Sequence, residues 1–145
     1  MSQRSWDMRF LGQAKLVASW SKDPSTKVGA VITDERNRVV SQGFNGFARG
    51  VMDSKTRLRT REVKYRLVLH AECNAILFAP HQLEGCTLYT WPVQPCAQCA
   101  SMVVQVGIRR VVSVHPATDK VNRWGKDMKL AKEIMKEGGV RLLLI

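Results

Sequence analysis

The stretch Cys96-Ala97-Gln98-Cys99-Ala100-Ser101-Met102-Val103-Val104-Gln105-Val106-Gly107-Ile108-Arg109-Arg110-Val111-Val112-Ser113-Val114 decides the fold. Its first half reads as a helix over 96–106 closed by Gly107, and its second half, rich in β-branched residues, as a strand over 108–114. Upstream, Gly85 to Trp91 is a short strand. Downstream, Met128, Leu130, Ala131, Ile134 and Met135 share a helical face over 125–137, Gly138-Gly139 ends it, and Val140 to Ile145 is a last apolar strand. Strands that alternate with helices predict parallel neighbours joined by right-handed crossovers.

The first half of the chain differs. Met8, Leu11, Leu16, Val17 and Trp20 mark a helix over 5–20, stopped by Asp23-Pro24-Ser25. Val28 to Thr33 and Val39 to Phe44 flank a polar turn and read as an antiparallel hairpin. From Asn45 to about Lys64 periodicity disappears while Arg49, Lys55, Arg57, Arg59 and Arg61 accumulate, which reads as a basic loop with one helical turn at most. A short buried helix follows from His70 to Ala79, before Pro80. The order α-β-β-α-β-α-β-α-β predicts an α/β domain of three layers, helices covering both faces of a mixed five-stranded sheet. At about 150 residues per domain, 145 residues without repeat or linker make one domain over 1–145.

Hydrophobic residues at 45% and charged residues at 24% exclude disordered and disulfide-scaffold classes. Twenty-three basic against twelve acidic residues leave a net charge of +11, which favours anionic partners: nucleotides or nucleic acids. Four cysteines at 73, 86, 96 and 99 are too few and too uneven for a secreted framework. No apolar signal stretch precedes Asp7 and no run approaches the ~18 residues of a membrane span, so a cytoplasmic, non-membrane protein is expected.

The chemistry gathers in two short motifs. His70-Ala71-Glu72 is followed, 24 residues beyond Glu72, by Pro95-Cys96-Ala97-Gln98-Cys99. One imidazole and two thiolates form a three-ligand set for zinc, which leaves a coordination position open and so suits catalysis better than structure. Cys96 and Cys99 lie three apart at a helix start, where the helix dipole favours thiolates. Glu72 is not needed as a ligand and is placed to shuttle a proton toward a departing nitrogen. Cys-x-x-Cys alone could be redox-active or a pair of buried thiols; joined to the upstream His-x-Glu it matches the pattern of the zinc deaminases. Cys73 and Cys86, and Tyr65 and Tyr89, are expected in the core.

Nearly the whole chain resembles the deoxycytidylate deaminase branch of the cytidine deaminase superfamily. The likeness runs from Asp23-Pro24-Ser25-Thr26-Lys27-Val28-Gly29-Ala30 through Gly43-Phe44-Asn45-Gly46-Phe47 and Lys64-Tyr65 to both zinc motifs and Gln105-Val106-Gly107-Ile108. The resemblance implies zinc bound by His70, Cys96 and Cys99, Glu72 as general acid and base, and conversion of dCMP to dUMP and ammonia. It also implies that Asn45 sits by the sugar and base and that the backbone at Ala71 orients the ring. Ser25, Thr26 and Lys27 would cradle the phosphate, although Lys27 reads equally as a solvated cation. Arg123-Trp124, in the loop after the fourth strand, would meet phosphate and ring, or else Trp124 is a packing staple of the last helix. Relatives of this kind are commonly homohexamers under nucleotide control, so a homo-oligomer and an allosteric nucleotide at the loop around Ala48 and Arg49 are expected. The segment Thr90 to Pro95, which borders the pocket, is one residue longer than the common form. The alternatives are a deaminase acting on tRNA, single-stranded DNA or a modified cytosine nucleotide, and a zinc-stabilised binding protein without activity.

Overall fold

The computed structural model describes residues 1–145. Its elements in chain order are α1 (Gln3–Ala18), β1 (Gly29–Thr33), β2 (Val39–Phe44), β3 (Gly46–Phe47), α2 (Lys55–Arg59), α3 (Arg61–Leu67), β4 (Val68–Leu69), α4 (Ala71–Leu77), β5 (Thr87–Trp91), α5 (Ala97–Gln105), β6 (Arg110–Ser113), α6 (Thr118–Glu137) and β7 (Arg141–Leu144). The main sheet has the order β2-β1-β5-β6-β7. β1 runs antiparallel to both β2 and β5, whereas β5, β6 and β7 are parallel, so the sheet is mixed as expected.

Strand alternation sorts side chains to two cores. Val31, Tyr89 and Val112 point to one face and pack on Phe10, Leu11, Ala14 and Val17 of α1. Ala30, Ile32, Leu88 and Val111 point to the other, where α4, α5 and α6 bring Ala71, Ala75, Ala100, Val103, Ala131 and Met135. Each large aliphatic side chain removed from water contributes about 1.5–3 kcal/mol, so these two layers carry most of the stability. β1 is buried at every residue because it is covered on both sides. One buried charge lies on the α1 face: Asp7 accepts hydrogen bonds from Tyr89 Oη and Arg110 Nη1, both at 2.8 Å, and so ties α1 to β5 and β6.

Three contacts hold α4 against the sheet. Ser41 Oγ donates to the Ala75 carbonyl at 2.7 Å, and Asn74 Nδ2 donates to the Phe44 carbonyl at 2.8 Å. Between them Gly43 lets the β2 backbone touch the helix: a Cβ there would sit 2.6 Å from Ala71 O and from Ala75 N. No helix is long and apolar enough to cross a membrane.

The structure corrects two expectations. Residues 45–64 hold more than a loop with one helical turn: besides the short α2 they include β3 and the start of α3, with β3 paired to β4 in a small second sheet. α2 buries no residue and is capped instead by Ser54, whose Oγ accepts from Arg57 N. With no apolar stripe, nothing in the hydropathy pattern marks it. The last helix starts at Thr118 rather than 125, so Arg123 and Trp124 are helical and not in a loop. Its N-cap, Ala117, makes no side-chain capping bond, and Gly125 lies inside it, so the usual start signals are missing.

Candidate active site

Two helix starts meet at the sheet. His70 is the N-cap of α4, and Cys96 is the N-cap of α5, where its sulfur accepts from Cys99 N at 3.4 Å. Asp127 of α6 accepts the Ala97 N–H at 3.0 Å and so anchors the cysteine turn from a third helix. His70 Nδ1 lies 3.4 Å from both Cys96 Sγ and Cys99 Sγ, and the three ligand atoms fall within 4.8 Å of one another. Zinc bonds of about 2.3 Å to sulfur and 2.0–2.1 Å to nitrogen at tetrahedral angles put nitrogen and sulfur about 3.6 Å apart. The donor set therefore fits zinc. No fourth His, Cys, Asp or Glu ligand joins the group, which leaves it the three-donor form of catalytic sites.

Protons in this cluster are unevenly held. Cys96 is held down to about 4, first by its hydrogen bond with Cys99 and then by His70, against the opposing effect of burial. Cys99 is pushed up by the same sulfur contact and by burial. His70 is raised by its hydrogen bond to Cys96. Glu72, 3% exposed, stands one residue past Ala71 in the first turn of α4. Burial pushes its carboxyl above the ordinary range, with the charge of His70 opposing. A carboxyl lifted toward neutrality beside a metal set is suited to both accept and return a proton.

A cavity of about 250 Å³ opens beside the set, with His70, Ala71, Glu72 and Cys96 in its wall. Ser25, Thr26, Asn45, Arg123 and Trp124 also line it, which brings most of the expected residues to one place. Lys27 is the exception: it is exposed and absent from the wall, although Thr26 and Val28 on either side of it line the cavity. That alternation is what a chain entering a strand imposes. Asn45 serves the wall in a way not anticipated. Its Oδ1 accepts Val28 N at 2.9 Å and its Nδ2 donates to the Thr26 carbonyl at 2.9 Å, so its amide orders the 23–28 turn.

Several wall residues were not singled out by sequence. Asp23 accepts from Ser25 N at 2.8 Å, Thr26 N at 3.1 Å and Lys64 Nζ at 3.1 Å, which builds the turn around a buried ion pair. Its Asp-Pro-Ser setting is a turn signal that could have found it. Tyr65 is 52% exposed and lines the cavity rather than the core, while Tyr89 is fully buried. Arg123 crosses the rim, donating to Ser25 Oγ at 3.3 Å and Tyr65 Oη at 3.1 Å and lying 4.8 Å from the Trp124 ring centre. Lys120 Nζ adds a second cation, 3.4 Å from Thr26 Oγ1. Gln94, Asp127 and Met128 also line the wall: Gln94 falls in the segment Thr90 to Pro95 and Met128 on the apolar face of the last helix, whereas no sequence pattern points to Asp127.

Comparison with known proteins bears on the same residues. Residues 4–115 match the family model described as the cytidine and deoxycytidylate deaminase zinc-binding region. An uncharacterized deaminase from the luxG 3' region of Aliivibrio fischeri is 47% identical over 137 residues, covering 94% of this chain and 91% of that one. The deoxycytidylate deaminase of Homo sapiens is 36% identical over 113 residues, 74% of this chain, which spans 63% of that relative's length. In fold, the chain is similar to the dCMP deaminase of cyanophage S-TIM5, solved with dCMP and dUMP, at a TM-score of 0.77 and 20% identity, over 100% of this chain and 99% of that one.

Proposed function

The chain belongs to the cytidine and deoxycytidylate deaminase family, and from that premise we propose that it hydrolyses dCMP to dUMP and ammonia as one domain over 1–145. The observation that carries this reading is the buried, unligated Glu72 beside a three-donor metal set in the wall of a cavity with a cationic rim. Zinc held by His70, Cys96 and Cys99 supplies Lewis acidity that makes a water nucleophilic near neutral pH.

The chain's own groups do the rest. Glu72 takes a proton from the attacking water as its oxygen bonds to C4 and delivers it to ring N3; it then takes the remaining proton of the new C4 hydroxyl and passes it to the exocyclic amine, so that the C4 carbonyl forms as the C4–N bond breaks and ammonia leaves. The Ala71 N–H, in the first turn of α4 with no intrahelical partner, is free to donate to the ring carbonyl. Asn45 acts by holding Thr26 and Val28 in place. Ser25, Thr26, Lys120 and Arg123 offer hydroxyls and cations to the 5'-phosphate, and Trp124 flanks the sugar or ring. A nucleoside would gain nothing from that rim, which is why a monophosphate fits better.

The same reading covers assembly and setting. Trp20, Phe44, Leu77 and Phe78 are exposed aromatic and aliphatic side chains around α4 and the β2 edge, which supports a homo-oligomer. The exposed Arg49 beside Phe78 supports an anionic regulator there. Four unpaired cysteines fit a reducing, cytoplasmic setting. Glu72→Gln tests the mechanism: ammonia release from dCMP should fall on the order of 10²- to 10⁴-fold while zinc content stays at the parent value. Full activity in that variant would refute the role of Glu72.

A further inference from the structure

Two buried side-chain oxygens lack a hydrogen-bond partner, Thr33 Oγ1 and Gln94 Oε1. Thr33 lies in β1 away from the cavity, but Gln94 lines it, two residues before Cys96. Gln94 is 3% exposed, so its amide has little access to bulk water. An acceptor left unmatched in such a place is costly and calls for a partner that arrives from outside.

The orientation of the amide is fixed by chemistry. Gln94 Nε2 donates to the Met128 carbonyl at 3.1 Å. Only the NH₂ end can face that carbonyl, because the reversed amide would set two acceptors against each other. The oxygen is thus held at the other end, on a side chain whose neighbours on the wall include Val93, Cys96 and Met128. None of these side chains offers a strong donor. No side chain on the wall donates to Gln94 Oε1, and a ligand in the cavity can supply that donor.

Resting on the proposed reaction, we propose that Gln94 is a specificity-determining residue whose Oε1 accepts a hydrogen bond from the exocyclic amine of the cytosine ring. The group it reads is the one that the reaction changes. In the substrate the ring carries an N–H donor at that position; in the product the same carbon carries a carbonyl oxygen. Gln94 Oε1 gains a hydrogen bond with the first and meets a second acceptor with the second. With a small turn of the Gln94 side chain into the cavity, one group therefore favours the amine-bearing ring on entry and disfavours its deaminated form afterwards, which promotes product release.

Equilibrium binding separates this role from a structural one. In zinc-loaded Glu72→Gln protein, which holds substrate without turning it over, the affinities for dCMP and dUMP are measured by calorimetry with Gln94 intact and replaced by Leu or by Met. Removal of the acceptor should lower the preference for dCMP over dUMP by about tenfold, which is about 1.4 kcal/mol. Loss of the bond to Met128 alone would weaken both nucleotides together and leave their ratio unchanged. A ratio that stays within about threefold of the parent in both variants overturns the assignment of Gln94. Failure of the parent to bind dCMP at all overturns the assignment and the proposed substrate together.

Discussion

Gly43→Ala perturbs the site without touching any of its residues. The added Cβ would lie 2.6 Å from Ala71 O and Ala75 N and 2.9 Å from Asn74 Cβ. Ordinary contact begins at 3.4 Å, so α4 must withdraw from β2 by roughly 0.8 Å. The neighbours are main chain, and the helix is also tethered through Ala75 O and Asn74, so the strain is not relieved by a rotamer change. Overpacking of this kind costs about 1–3 kcal/mol. The larger effect is on chemistry, because α4 starts at His70 and carries Glu72 in its first turn. A misplacement near 1 Å in a reacting group costs up to about 10²-fold. Ammonia release from dCMP should fall about 10- to 100-fold, zinc affinity should weaken because His70 moves with the helix, and the melting temperature should drop by several degrees. Gly12→Ala is the control: nothing lies within 4 Å of its Cβ, and in the interior of α1 the change should stabilise by about 0.5–1 kcal/mol with activity unaltered. Parental turnover and melting temperature in Gly43→Ala would refute the claim that this contact sets the position of Glu72.

Arg123→Ala should raise the KM for dCMP about 10- to 100-fold, the range for a lost hydrogen bond to a charged group, while deoxycytidine, which has no phosphate, is handled as before; steady-state assays on both compounds decide it, and an equal change in both would remove Arg123 from the phosphate. Asp7 makes the acid stability predictable. Burial alone would raise its carboxyl, but hydrogen bonds from Arg110, Tyr89 and Gln3 outweigh burial and hold it below the ordinary value. A group lowered on folding contributes stability above its unfolded pKa near 3.9 and loses it as pH falls through the folded value. Asp7→Asn should therefore be less stable by about 1–3 kcal/mol at pH 7 and should lose part of the fall in stability below about pH 4, as urea melts between pH 3 and 7 will report.

Legibility from sequence followed burial. β5, α5, β6 and β7 were readable because their apolar residues repeat with periods imposed by one shared core, and the metal set was readable because its ligands sit at two helix starts with fixed local spacing. α2 and α3 were not, since α2 buries nothing and α3 buries only Lys64, whose partner Asp23 is 41 residues away in sequence. The bonds made by Gln94 and Asp127 are unreadable for the same reason: each runs to a backbone group about 30 residues distant, and no local pattern encodes such a bond. Lys27 reads both ways in sequence because adjacency says nothing about which side of an extended chain faces the cavity; in the structure it is exposed.

The residues that α6 contributes have one more implication. Arg123 at the rim and Asp127 at the cysteine turn are separated by one helical turn, which is about 6 Å along the axis. A helix does not stretch, so α6 works as a ruler laid between the charged end and the reacting end of whatever enters. Retuning this enzyme for a longer phosphate chain would require inserting or removing whole turns, since exchanging rim side chains alone leaves the graduations where they are.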